Sequence, residues 1–215
     1  MDRHCRWSST RILLKVYRAN NQILNCQDAK GEEQEELLAQ KLAFCSVRFN
    51  LEESVEQDRE KKAAILEELL DFTRQNLPAM SRTMVCDLVE MVAANIFRPL
   101  PNIEKRSGPD PLEEEDEWLE PMWGHLSLAY TILLTILEHP HFEPNSLKTV
   151  VNKPFMEKLL ELFFSADANE RETLKTVLHR IYGNFLSLRR FTRVRVSELL
   201  LSVIHEGDQT NTKNK

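Results

Sequence analysis

Between Leu174 and Arg193 the chain reads LKTVLHRIYGNFLSLRRFTR. Leu174, Val177, Leu178, Ile181, Phe185 and Leu188 recur there at steps of three and four, which stacks them along one side of an α-helix. No segment alternates apolar and polar residues with a period of two over a useful length, so no half-buried strand is supported. The expected fold class is therefore all-α. His179, Arg180, Tyr182, Arg189 and Arg193 stand beside the stripe. They offer planar cationic and hydroxyl donors suited to a carboxylate or phosphate. A packed helix with an anion-reading edge indicates a binding protein more than an enzyme.

The same periodicity places the other helices. Residues 1–34 read as a basic, poorly ordered leader. A helix fits Leu37 to Phe49, with Leu38, Leu42, Cys45 and Phe49 on one face. A second fits Asp58 to Asn76 and stops at Pro78; a third fits Ser81 to Phe97. Residues 98–120 then hold Pro99, Pro101, Pro109, Pro111, Gly108 and an acidic run, Glu113, Glu114, Glu115, Asp116 and Glu117. Proline cannot continue a helix and like charges repel, so this is a long loop. Helices resume over Met122 to Glu138 and from about Ser146 to Phe164, where Pro154 marks a kink or a short preceding turn. Asn169 and Glu172 form a candidate capping box for the helix that carries the stripe. A last helix covers Val194 to His205, and residues 207–215 form a polar tail expected to fray.

From Trp123 onward the helices read as antiparallel pairs at close to the ~40–47 residue period of HEAT and armadillo repeats. The architecture expected for residues 35–206 is thus an α-solenoid of about three helix pairs, because one pair alone cannot bury its stripe. A plain helical bundle is the alternative.

Composition narrows function further. The net charge of -6 argues against a general nucleic-acid binder, which needs excess Lys and Arg to displace counterions. Five glycines, none clustered, exclude glycine-rich phosphate loops. Cys5, Cys26, Cys45 and Cys86 form no close pair, which speaks for reduced thiols in a reducing compartment. No apolar run approaches the roughly 20 residues of a membrane span, so no membrane partner is expected. Arg3, Arg6, Arg11, Lys15 and Arg18 give the leader the composition of an organelle transit peptide, with a disordered basic leader as the competing reading.

No catalytic constellation, metal site or cofactor motif is present, and no enzyme activity is expected. His139 and His141 flank Pro140, and two histidines in a proline turn make an incomplete metal site. The run Glu113 to Glu117 lacks the glycine and the alternating spacing of a calcium loop. It reads as a solvated loop, or as an electrostatic contact for a partner or for the chain itself. For His179 and Arg180 the plain reading is a solvated helix edge. The functional one has Arg180 pairing bidentately with a carboxylate, Arg189 adding a second cation, and His179 and Tyr182 supplying walls and hydrogen bonds. Two such contacts with one or two apolar anchors give an affinity in about the micromolar range.

Residues 157–196, EKLLELFFSADANERETLKTVLHRIYGNFLSLRRFTRVRV, closely resemble the B-prime family of regulatory subunits of protein phosphatase 2A. LAQKLAFCSVRFN (38–50), ANIFRPLP (94–101) and PDPLEEEDEWLEPMWGHLSLAYTILLTILEHPHFEP (109–144) resemble its first helix, its NMFRxLP segment, and its acidic loop with the following helix. The resemblance covers about residues 37–206. It implies a HEAT-like solenoid without catalytic activity that joins a phosphatase scaffold and catalytic subunit in the cytoplasm, and in the nucleus besides. It also implies a groove reading short Leu-x-x-Ile-x-Glu peptides, with His179, Arg180, Tyr182 and Arg189 at the matching positions. Two departures stand out. The family's solenoid continues beyond the point where this sequence ends, so the chain reads as the truncated front part, with half the groove and an uncapped apolar face. Asn184 stands where the family has Lys.

Overall fold

The computed structural model describes residues 32–48, 56–100 and 119–212. Among these residues there is no strand, and seven α-helices follow one another: α1 Glu32–Cys45, α2 Glu56–Asn76, α3 Arg82–Ile96, α4 Trp123–Glu138, α5 Lys153–Glu161, α6 Ala168–Asn184 and α7 Arg189–Thr212. The acidic run Glu113 to Glu117, Trp118, Phe49, Cys5, Cys26 and the basic residues of the leader lie outside the described residues.

The helices form two layers. In one, α2 packs on α4 and α4 on α6; in the other, α1 packs on α3 and α5 on α7. Contacts α1 to α2 and α3 to α4 join the layers. Four pairs of helices two places apart along the chain thus meet, and α3 meets the 3-10 turn Pro144–Leu147 that leads to α5, the packing of a solenoid built from helix pairs. A helix stripe must then serve both its own pair and the next. Leu88, Val89, Val92 and Ile96 of α3, Leu133 and Ile136 of α4, and Leu174, Val177 and Ile181 of α6 are fully buried in one continuous core.

Local chemistry sets several boundaries differently from the sequence expectation. α1 begins at Glu32, earlier than expected, and the glutamates Glu33 and Glu35 fall in its first turn, where the positive end of the helix dipole favours a carboxylate. The expected helix from Ser146 to Phe164 is broken. A 3-10 turn, Pro144–Leu147, precedes α5, and a second, Leu162–Phe164, ends it. Pro154 lies in the first turn of α5, where its missing N–H costs nothing, and the Asn152 side chain accepts from Phe155 N at 3.1 Å. α7 starts at Arg189, straight after the 3-10 turn Leu186–Leu188, and runs to Thr212, past the residue 206 boundary. The N-cap of α6 is Asp167, not Asn169: Asp167 Oδ1 accepts from Asn169 N at 2.8 Å and Glu170 N at 3.4 Å. Glu172 pairs with Lys175 at the surface instead of closing a capping box.

Two lysines are buried in the first two helix pairs. Lys41 pairs with Glu68. Lys62 donates to Val47 O at 2.7 Å and to Asn95 Oδ1 at 2.6 Å, while Asn95 Nδ2 donates to Cys45 O at 3.0 Å. This knot ties the end of α1 to α2 and α3. Burial pushes Lys62 down to about 8, against a raising contribution from Cys45. The unfolded chain keeps that proton up to the ordinary lysine value near 10.5. Between the two values the unfolded state binds more protons, so the Lys62 contribution raises stability as pH climbs from 8 to 10.5. At about 1.4 kcal/mol per pH unit the full window is worth about 3 kcal/mol. The Cys45 thiol, pushed up to about 12 chiefly by burial, slopes the other way above pH 9. Denaturant titrations of the wild type and Lys62→Met across this range read the lysine together with its coupling to Cys45. The wild type is expected to gain stability relative to the variant as pH rises, and parallel curves would show that Lys62 keeps its proton in the folded protein up to the ordinary lysine value.

Candidate functional site

The edge singled out in the sequence lies where α6 ends and α7 begins. Val177, Ile181 and Phe185 are held in the core, so the residues between them must face outward. His179 and Arg180 are exposed on α6, and Tyr182 and Arg189 are half-buried.

Tyr182, Arg189 and Arg193 come together. Arg189 folds back over the C-terminus of α6, donating through Nε to Tyr182 O at 2.8 Å and through Nη2 to Gly183 O at 3.1 Å. Its guanidinium carbon lies 5.2 Å from the centre of the Tyr182 ring. A cation on the last carbonyls of a helix is favoured by both hydrogen bonding and the helix dipole. Arg189 is therefore partly engaged in closing the helix. Arg193 Nη1 donates to Tyr182 Oη at 3.0 Å. Because arginine has no acceptor, the Tyr182 oxygen accepts here, and its own O–H remains available as a donor.

Arg180 lies apart from this trio. Its Nε donates to Glu138 Oε1 at 2.7 Å, on the last residue of α4, and both side chains are about half exposed, 48% and 42%. Beside that pair, Asn184 Nδ2 donates to Leu137 O at 2.8 Å, so the C-termini of α4 and α6 are pinned together. Three of the four expected residues thus form one edge in two parts, an Arg180–Glu138 pair and a Tyr182–Arg189 stack extended by Arg193, while His179 is exposed on α6 and joins neither part.

Sequence reasoning missed the strongest charge cluster. Arg98 follows α3, at the mouth of the proline-rich segment. It forks onto Glu170 of α6, Nη1 to Oε1 at 2.7 Å and Nη2 to Oε2 at 2.9 Å, and its Nη2 also reaches Glu120 Oε2 at 2.7 Å. Tyr130 Oη donates to Glu170 Oε1 at 2.9 Å, and Glu120 N donates to Asp167 Oδ2 at 2.8 Å. Burial works against the Arg98 charge, but its hydrogen bonds to Glu170 and Glu120 outweigh it, so the guanidinium holds its proton more tightly than usual. Burial first, and then the Glu170 carboxylate, push the Tyr130 phenol above its ordinary value. With every charge partnered, this cluster clamps residues 98 and 120 onto the start of α6. In the sequence Arg98 falls in the ANIFRPLP segment, with no sign there of its partners Glu120 and Glu170.

His139 and His141 sit in the turn after α4 with rings 5.7 Å apart, and His141 N donates to His139 Nδ1, a turn-closing bond. No group of three or more His, Cys, Asp or Glu side chains placed to hold a metal occurs among the described residues. No helix among them is long and apolar enough to cross a membrane.

The family model described as protein phosphatase 2A regulatory B subunit (B56 family) matches residues 24–214. The chain is 43% identical over 188 residues to the mouse serine/threonine-protein phosphatase 2A 56 kDa regulatory subunit alpha isoform, covering 86% of this chain and 38% of that protein. It is 39% identical over 201 residues to the human beta isoform, covering 91% and 40%. To the human delta isoform it is 36% identical over 210 residues, covering 96% and 35%. The chain therefore spans about two fifths of the length of the curated relatives it matches.

Proposed function

The chain belongs to the protein phosphatase 2A regulatory B subunit (B56) family, and from that premise we propose that it is a non-catalytic targeting module for a serine/threonine phosphatase. In this reading the solenoid binds the scaffold and catalytic subunits, and the edge of α6 and α7 holds short acidic motifs of the Leu-x-x-Ile-x-Glu kind on substrate proteins. The cytoplasm and the nucleus are its places of work. Its relatives are phosphatase 2A regulatory subunits, which supports the regulatory role. The observation that carries the peptide role is the cationic edge itself: Arg180 outside, then Tyr182 with Arg189 over its ring and Arg193 on its hydroxyl. Charge-assisted hydrogen bonds to a peptide carboxylate are worth about 1.5–3 kcal/mol each, and the planar arginine fork suits that ligand better than a lysine does.

Assembly is tested by mixing the purified 215-residue chain with the phosphatase scaffold and catalytic subunits at low micromolar concentration. Co-elution of the three in one peak is expected. If the chain elutes alone while still binding acidic peptides, it is a helical adaptor without a phosphatase link.

A further inference from the structure

We infer that Glu138 is a positioning residue of the acidic-peptide site, holding Arg180 so that the outer edge of its guanidinium meets the ligand. The inference rests on the peptide reading given above. Glu138 is the last residue of α4, where the helix dipole disfavours a negative charge. Nothing in the local helix accounts for a carboxylate there. What accounts for it is Arg180, which reaches across from α6 and gives Glu138 only its Nε, at 2.7 Å. That is the sole hydrogen bond of Arg180 among the described residues, so Nη1 and Nη2 remain for a second carboxylate. A guanidinium can be held on its Nε side and still present two parallel N–H groups beyond it.

The support for Glu138 is rigid. Leu137 beside it is buried, and its carbonyl takes the Asn184 side chain at 2.8 Å, so the two helix ends cannot drift apart without breaking that bond. An arginine left unheld on an exposed helix face would lose its rotamer freedom only on binding, and the ligand would meet that cost in full. Held by Glu138, it has lost that freedom beforehand. The Glu138 charge also repels an incoming carboxylate, but the pair is half exposed and screened. Removing the charge while keeping the acceptor separates the two effects.

The test uses the 215-residue chain, a Leu-x-x-Ile-x-Glu peptide and a scrambled peptide of equal composition. Glu138→Ala is expected to weaken the specific peptide by about threefold to tenfold. Glu138→Gln, which still accepts from Nε, restores wild-type affinity or exceeds it. In parallel, the Arg180 Nε–H signal in nitrogen-15 NMR should be ordered in the wild type and Glu138→Gln, and mobile in Glu138→Ala. Melting temperatures should stay level, because a half-exposed pair adds little to stability. If the peptide binds and Glu138→Ala binds it as tightly as the wild type or more tightly, Glu138 does not position Arg180 for the ligand and the assignment falls alone. It also falls if Glu138→Gln behaves like Glu138→Ala, or if Arg180 is as mobile in the wild type as in Glu138→Ala. If the wild type does not prefer the peptide over its scramble, the peptide reading falls and this role falls with it.

Discussion

Arg98→Ala is expected to lower the unfolding free energy by about 3–5 kcal/mol. The expectation follows from what the substitution leaves behind. The Glu170 side chain is fully buried, and the Glu120 side chain is 11% exposed. Without Arg98 both carboxylates lose their counter-charge in a place water reaches poorly, and one must take up a proton or the loop must move. The damage is not confined to one bond, because Tyr130 Oη leans on the same Glu170 and Glu120 N on Asp167, the N-cap of α6. Urea unfolding monitored by circular dichroism reads the change as a shift in midpoint at constant slope. The double variant Arg98→Met with Glu170→Met should recover part of the loss, since the fully buried carboxylate is gone and only Glu120, 11% exposed, is left without its counter-charge. A loss below about 1 kcal/mol for Arg98→Ala would mean that the clamp is solvated, with the value of an ordinary surface pair.

Arg180→Ala has its large effect elsewhere. Acidic-peptide affinity is expected to fall by about 1.5–3 kcal/mol, roughly tenfold to more than a hundredfold. Stability should change by no more than about 0.5 kcal/mol, because the side chain is 48% exposed and its partner Glu138 is 42% exposed. The two arginines thus make a matched contrast: one 12% exposed and held between carboxylates, the other about half exposed and proposed to face the peptide. Calorimetric titration together with a thermal melt of the same preparation checks both halves. A loss of helicity in step with the loss of binding would place Arg180 among the structural residues.

The stripes were legible because burial imposes a period, and the period survives in the sequence. Leu174, Val177 and Ile181 repeat with the helix and are all fully buried. The N-cap of α6 was less legible. Asn169 and Glu172 satisfy the local capping pattern, yet Asp167 takes the role. Its Oδ2 also receives Glu120 N from 47 residues away, a tertiary contact that no local pattern contains. The same limit hid the Arg98 clamp, whose partner Glu170 lies 72 residues along the chain. The type of each edge residue could be read, but not its partner. Arg189 counts as a cation in the sequence, whereas in the fold two of its nitrogens are given to Tyr182 O and Gly183 O. Arg193 could be placed beside the stripe but not on the Tyr182 hydroxyl, and Glu138 enters the edge only once α4 and α6 are in place. A helix of 3.6 residues per turn predicts which residues share a face, and packing alone decides which faces meet.

On the proposed reading, the edge of α6 and α7 reads an acidic peptide in a defined order of residues. Calorimetric titration of the 215-residue chain with a Leu-x-x-Ile-x-Glu peptide, and with its scramble, tests this most directly. The predicted result is a dissociation constant in about the micromolar range for the first and at least roughly tenfold weaker binding for the second, a gap of about 1.4 kcal/mol. Equal affinities for the two peptides would contradict the account, for they would leave the edge as a cationic surface with no reading of sequence.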